Sequence, residues 1–249
     1  MNTRVALAAV TAAGLAMSIP IAACGASWTI DLQAGPVMSG YNNVRIPNET
    51  GTKISLTDDL DSDVEPYWRL RLSMSSGNHT VSALLAPLTI NAAGSVNEQV
   101  LFEDTEFPAG TPLDAEYTFN SYRLTWRYAI LRRDKWRLGI GFTGKIRDAA
   151  VLIKSNESVA EKTNVGFVPL INFLLSADLS SRLHLTLEGD ALAAPQGRAE
   201  DVALLLNYRA GHRLSIKTGY RLLEGGADVD EVYSFALLHY GVFGVTLHL

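Results

Sequence analysis

Apolar and polar residues alternate with a period of two along most of this chain. Residues 28–34 place apolar side chains at every second position, and residues 68–75 alternate large apolar groups with arginine and serine. Successive side chains of a β-strand point to opposite faces, so this pattern predicts strands with one apolar and one polar face. The same alternation recurs at 122–130, 136–145, 183–188, 203–208 and 214–221, while 79–91 and 164–177 are apolar on both faces and are assigned as strands from their position between turns.

The connections between these strands are expected to alternate in length. Turn-forming residues mark short links at 76–79, 132–135, 179–182 and 209–212. Longer links are predicted near 40–63, 92–114, 154–163, 192–199 and 224–231. This arrangement predicts an all-β fold, a closed antiparallel up-and-down β-barrel of ten strands, with eight or twelve strands as alternatives.

The composition of the two faces indicates a transmembrane barrel. The polar face carries arginine, lysine and glutamate in mid-strand with glycine and serine, which suits a hydrated lumen, whereas the apolar face is rich in leucine and has aromatic residues near strand ends. A helical membrane protein is not expected, because the longest apolar stretch of the mature chain, Val165 to Leu175, contains Pro169 and Asn172.

The N-terminus is typical of a secretory signal peptide. A basic residue, Arg4, precedes an apolar stretch and a run of small residues, so we assign residues 1–26 to a cleaved signal and 27–249 to the barrel domain. Cys24 lies in a segment that resembles the lipobox of bacterial lipoproteins. Lipidation at Cys24 and simple removal with the signal are the two alternatives.

The C-terminal residues alternate to the end of the chain. Phe243, Val245, Leu247 and Leu249 share one face, and Tyr240 precedes them. This strand resembles the signal that the bacterial barrel-assembly machinery recognises, although that signal prefers a terminal aromatic residue where this chain has Leu249.

Residues 28–249 as a whole resemble the small monomeric Gram-negative outer-membrane β-barrel proteins. The resemblance implies a location in the outer membrane of a bacterial cell and a monomeric protein. The implied partners are outer-membrane lipids, lipopolysaccharide and the barrel-assembly machinery during insertion. No nucleic-acid partner is expected for this chain, whose net charge is −5.

The alternation also predicts which charged side chains face the lumen. A paired network that fills a narrow barrel is one interpretation, because an uncompensated charge in a low-dielectric wall is costly. A basic constriction that favours anionic solutes is the other. The predicted lumen network comprises Arg69, Arg71, Arg123, Arg127, Lys145, Arg147, Glu188, Asp190, Asp201, Lys217 and Arg221.

Acidic residues concentrate in the predicted outer loops. Asp58, Asp59, Asp61 and Asp63 form a candidate calcium site, although the run lacks the glycine and the terminal glutamate of an EF-hand loop. A solvated loop surface is the alternative, and no other cofactor is expected.

No catalytic residue is assigned. Omptin-type proteases need aspartate pairs and an aspartate with histidine at the outer rim, and we expect none of the five histidines to meet that geometry. The leading hypothesis is a non-enzymatic outer-membrane barrel of structural, binding or narrow-pore type, with a charged lumen and acidic extracellular loops. The alternatives are a surface hydrolase of lipid A or peptides, and a periplasmic lipid-binding barrel tethered through Cys24.

Overall fold

The computed structural model describes residues 25–249, so Cys24 and all but the last two residues of the predicted signal peptide lie outside the described part of the chain. The strands are β1 (Ser27–Arg45), β2 (Ile54–Ser55), β3 (Leu60–Ser62), β4 (Glu65–Ser76), β5 (His79–Ala86), β6 (Thr89–Ser95), β7 (Val100–Phe102), β8 (Thr105–Phe107), β9 (Pro112–Arg132), β10 (Trp136–Lys154), β11 (Val159–Asp178), β12 (Leu183–Ala194), β13 (Gly197–Arg209), β14 (Leu214–Val229) and β15 (Val232–His248). Within these residues, no helix is long and apolar enough to span a membrane.

The strands form a closed antiparallel barrel with ten positions in its wall. Consecutive wall strands pair with each other, and β1 closes the ring by pairing with both β15 and β4. β5 and β6 occupy one position, because both pair with β9 and only the Pro87-Leu88 step separates them. The predicted fold, an up-and-down barrel of ten strands, is confirmed.

The lower part of the wall carries the predicted apolar belt. This is the end with the links at 77–78, 133–135, 179–182 and 210–213, which we call the periplasmic end, and the opposite end, with the long loops, is the extracellular end. On β10 the outward side chains run from Trp136 to Ile146, and Phe142 between them is 67% exposed. Tilted strands of this length cover about 25 Å, the height of the apolar band of an outer-membrane barrel. Trp28 and Tyr208 lie at the lower margin of this belt. The chain therefore presents a lipid-facing surface flanked by aromatic residues.

The prediction of long loops near 154–163, 192–199 and 224–231 is wrong. The links between β10 and β11, β12 and β13, and β14 and β15 are short turns at 155–158, 195–196 and 230–231, because the strands continue far above the apolar belt. Above the belt the outer face no longer meets lipid, so it carries polar residues such as Asp148 and Glu224. The alternation on which the prediction depended is therefore lost in strands that still pair.

The interior above the belt is apolar, which the sequence pattern did not predict. The remaining long loops, 46–64 and 96–111, fold over this end and bury Ile54, Leu56 and Phe102 against the inward faces of the wall. Phe102 is fully buried at the end of β7. Burial of this much apolar surface stabilises the loops as a cap on the barrel.

The wall is split between β11 and β12. Their pairing begins at Asp178 and His184 and ends at Ile171 and Ala191, whereas β11 continues outward to Val159 along β10 alone. Pro169 lies just beyond the last pair, and proline has no N–H with which to extend a ladder. Residues 159–170 of β11 therefore form an edge that is not paired with β12.

Candidate functional site

Three arginines share one buried carboxylate in the middle of the lumen. Arg69 Nη2 lies 3.0 Å from Asp201 Oδ2, and Arg123 Nη2 lies 2.7 Å from the same oxygen. Arg221 pairs with the other oxygen of Asp201. Arg123 Nη1 also donates to Asp190 at 2.8 Å. These groups come from the inward faces of β4, β9, β12, β13 and β14. The cluster therefore links five strands of the barrel wall.

A second group of ion pairs lies nearer the periplasmic end. Arg71 Nη1 donates to both oxygens of Glu188, at 3.0 and 3.1 Å. Arg221 Nη2 lies 3.5 Å from Glu188 Oε1, which links this group to the first cluster. Lys217 pairs with Asp31. Together the two groups form a continuous charged layer across the lumen.

The remaining predicted lumen residues also face inward, but their direct contacts are with neutral side chains. Arg127 donates to Asn172 Oδ1 at 3.3 Å, and Arg147 contacts the side-chain oxygen of Asn164. Lys145 forms no salt bridge with any residue that the structure describes. Its ammonium lies 4.5 Å from the centre of the Phe119 ring, although the residue is only 4% exposed.

The list of lumen charges predicted from sequence omitted several members of the network. Asp31, Gln33, Ser121, Thr143 and Asn172 are all buried and all hydrogen-bond to it. A signal was available for Ser121 and Thr143, which share a strand face with Arg123 and Lys145, and for Asp31 and Gln33, which share the polar face of β1. Which partner each would meet could not be predicted, since that depends on how far the strands are staggered around the barrel.

The acidic run in the first outer loop is divided between a turn and a short strand. Asp59 Oδ2 accepts a hydrogen bond from the backbone N–H of Ser55 at 2.7 Å, and Asp61 lies on β3, which pairs with β6. Among residues 25–249, no three histidine, cysteine, aspartate or glutamate side chains are gathered as metal ligands. The short β3 strand separates Asp58, Asp59, Asp61 and Asp63 along the loop, and calcium binding by these four residues stays a prediction.

A cavity of about 410 Å³ lies above the charged layer. Its walls are mostly apolar and include Tyr117, Phe119, Val151 and Leu223, all inward-facing and contributed by β9, β10 and β14. Lys145 and Arg147 on β10 add two cations beside them. The lining also includes acidic residues, among them Asp190 and Asp201, so the cavity combines apolar walls with charges of both signs.

The five histidines lie away from this outer end. His79 and His212 are at periplasmic turns, and His184 Nδ1 lies 2.6 Å from Asp178 Oδ1 near the same end. His248 lies 3.0 Å from the Ser215 hydroxyl, also near the periplasmic end. His239 points outward and contacts the Tyr220 hydroxyl. The aspartate and histidine arrangement of a rim protease is not formed by these residues.

Comparison with solved structures gives matches of fold. The outer membrane protease OmpT from Escherichia coli aligns over 90% of this chain and 97% of its own, with a TM-score of 0.57 and 11% identity. An outer membrane channel from Pseudomonas putida F1 aligns over 90% and 96%, with a TM-score of 0.40 and 10% identity. Ail, the attachment invasion locus protein of Yersinia pestis, aligns over 89% and 99%, with a TM-score of 0.39 and 8% identity.

No protein-family model and no curated protein matches the sequence. The fold nevertheless defines the class, which is that of the small outer-membrane β-barrels, as predicted. The closed wall and its outward apolar belt agree with the predicted location in the bacterial outer membrane, which is thereby supported. At these identities the likeness concerns the fold and carries no activity from OmpT to this chain.

Proposed function

We propose that this protein is a sealed outer-membrane barrel that binds a ligand at its extracellular end and does not conduct solutes along its axis. The observation that carries the proposal is the charged layer around Asp201. Arg69, Arg123 and Arg221 meet at this carboxylate, and all four residues are at most 5% exposed. Side chains that meet in the middle of a ten-stranded barrel occupy the cross-section through which a solute would pass.

The distribution of charge favours a plug over a selective constriction. A selective ring attracts ions with charges that are free to face the passing solute. Here Arg69, Arg71, Arg123 and Arg221 are each paired with a carboxylate. Basic lumen groups still outnumber the carboxylates, but the four central arginines are directed at carboxylates and not at an open path.

The outer end supports a binding role. The capping loops leave a cavity whose volume of about 410 Å³ falls within the range of small-molecule sites, and such sites are typically apolar with a few polar groups. Outer-membrane lipids and lipopolysaccharide are the partners expected around the belt of a monomer that the barrel-assembly machinery inserts.

Conductance in planar lipid bilayers tests the sealed lumen. We expect the purified protein to give no steady single-channel current, while an open porin under the same conditions conducts. A double variant, Arg123→Ala with Asp201→Ala, removes the centre of the layer and is expected to raise the conductance if the protein still shows heat-modifiable gel mobility. A steady current through the unmodified protein would overturn the proposal.

A further inference from the structure

The cavity at the outer end continues through the barrel wall. Its lining includes Val168 and Leu170, which face inward on β11, and also Phe167 and Pro169, which face outward on the same strand. An enclosed lumen touches only the inward face of a strand, because successive side chains alternate. The cavity therefore reaches the outside at the split between β11 and β12.

The lower part of the split lies at the level of the lipid. Ile171, where pairing with β12 ends, lies opposite Phe142 on β10, and Phe167 lies opposite Ile146. All four side chains point outward within the apolar belt, and Phe142 and Phe167 are each 67% exposed. Hydrocarbon of the outer leaflet therefore faces the opening.

A cation that forms no salt bridge among the described residues lies at the same level inside. Lys145 pairs with Val168 across the β10–β11 ladder, so its ammonium is close to the opening. The side chain is buried against the Phe119 ring, and it forms no salt bridge among the described residues, although Arg123 and Asp201 lie in its surroundings. Arg147 adds an Nε atom that is buried and has no hydrogen-bond partner in residues 25–249. A buried charge is expensive without a partner, so the site favours an anion.

We propose that this cavity binds a single-chain amphipathic anion, a fatty carboxylate, that reaches it sideways from the outer leaflet through the split between β11 and β12. The carboxylate pairs with Lys145 and Arg147, and the acyl chain lies along the apolar wall formed by Phe119, Val151 and Leu223. This proposal rests on the proposed function, since a sealed lumen leaves the lateral opening as the route from the membrane. The volume suits one acyl chain and not the several chains of a lipopolysaccharide.

Binding of dodecanoate to the full barrel in lipid nanodiscs tests the proposal. Carbon-13 at the carboxyl group reports binding by NMR, with empty nanodiscs as the blank. We expect saturable binding that Lys145→Met weakens at least tenfold and that Ala149→Phe, which fills the cavity, abolishes. Lys154→Met removes an equal charge from the exposed end of β10 and should leave the affinity unchanged. Heat-modifiable gel mobility establishes that each variant is folded.

Two ligand controls and a mapping experiment separate the outcomes. Dodecanol should bind at least tenfold more weakly because it lacks the charge, and dodecyl phosphate distinguishes a general anion site from one for carboxylates. A dodecanoate with a photoreactive terminal carbon should label β10 and β14 near Val151 and Leu223, along the wall where the acyl chain is placed.

Labelling confined to the lipid belt, absence of saturable binding, or equal binding by Lys145→Met would overturn the inference. Equal binding of dodecyl phosphate would overturn its assignment to carboxylates. None of these results contradicts the proposal that the lumen is sealed, because the conductance measurement tests that proposal separately.

Discussion

Arg71 and Glu188 form an ion pair across the full width of the barrel, in which one guanidinium nitrogen contacts both carboxylate oxygens. Arg71 lies on β4 and Glu188 on β12, which are five positions apart in the ten-position wall, yet Nη1 lies 3.0 Å from Oε1. The pair is partly buried, with side-chain exposures of 22% and 10%. Backbone hydrogen bonds join neighbouring strands around the barrel. The Arg71–Glu188 pair in addition joins opposite sides of the barrel directly through the lumen.

A double-mutant cycle measures the coupling between these two residues. We expect Arg71→Met and Glu188→Gln each to lower the free energy of unfolding, and the double variant to lose less than the sum, with a coupling of at least about 1 kcal/mol. The physical reason is that each single variant leaves one charge buried without its main partner. Urea titration of the barrel in lipid vesicles, followed by tryptophan fluorescence, gives the four values; additive losses would contradict a direct interaction.

Asp201→Ala is expected to be more damaging than either of those changes. The substitution leaves Arg69, Arg123 and Arg221 without their shared carboxylate in a buried site. Removing one partner of a buried ion pair costs about 3–5 kcal/mol. Asp230→Ala in the exposed turn between β14 and β15 is the matched control, with an expected change under about 0.5 kcal/mol. Equal urea midpoints for the two variants would refute the role given to Asp201.

Phe102→Ala tests the apolar cap separately from the membrane-embedded part. Phe102 is fully buried at the end of β7, and truncation of such a side chain costs about 3–5 kcal/mol. Because the side chain belongs to a capping loop, we expect the loss to appear as faster proteolysis within 96–111 while the gel mobility of the barrel is unchanged. Glu98→Ala, in the same loop and exposed, should be cleaved at the original rate.

A surface ion pair links the capping loop 96–111 to the barrel wall. Lys162 Nζ on β11 lies 2.9 Å from Glu103 Oε1, above the apolar belt. The interaction with Glu103 raises the pKa of Lys162 above its ordinary value. A raised pKa means that the stabilisation is fully present below the unfolded value of 10.5 and is lost as the pH rises through the folded value. Proteolysis of 96–111 should therefore accelerate above pH 10.5 in the unmodified protein and show a smaller increase in Lys162→Met.

The membrane-facing part of the fold could be predicted from the sequence because lipid imposes the alternation on which prediction depends. Trp136, Ile140 and Phe142 on β10 must all point outward, so the strand and its facing follow directly. The same rule placed Arg69, Arg123 and Asp201 inside without indicating that they meet. Their contact depends on the stagger of strands that are distant in sequence, and a pattern within one strand carries no information about it.

The outer half was harder to predict because its outward face is polar and its inward face is apolar, the reverse of the membrane part. Val151 and Ile153 point inward on β10, where the belt below has Thr143 and Lys145. The apolar phase therefore switches from the outer to the inner face partway along the strand. If apolar residues are expected on the outer face throughout, a continuous strand of this kind is predicted as a strand followed by a loop. The end of pairing at Ile171 leaves no signal in the sequence apart from Pro169.

The length of the wall strands determines how far the molecule stands out from the cell. β9 has 21 residues. At about 3.3 Å per residue and a tilt of about 40°, it rises on the order of 50 Å, roughly twice the apolar band. The capping loops at its top are thereby lifted about 25 Å above the apolar band, into the carbohydrate of the cell surface. An antibody or a bacteriophage would meet residues 46–64 and 96–111 at this end, together with the turns 155–158, 195–196 and 230–231.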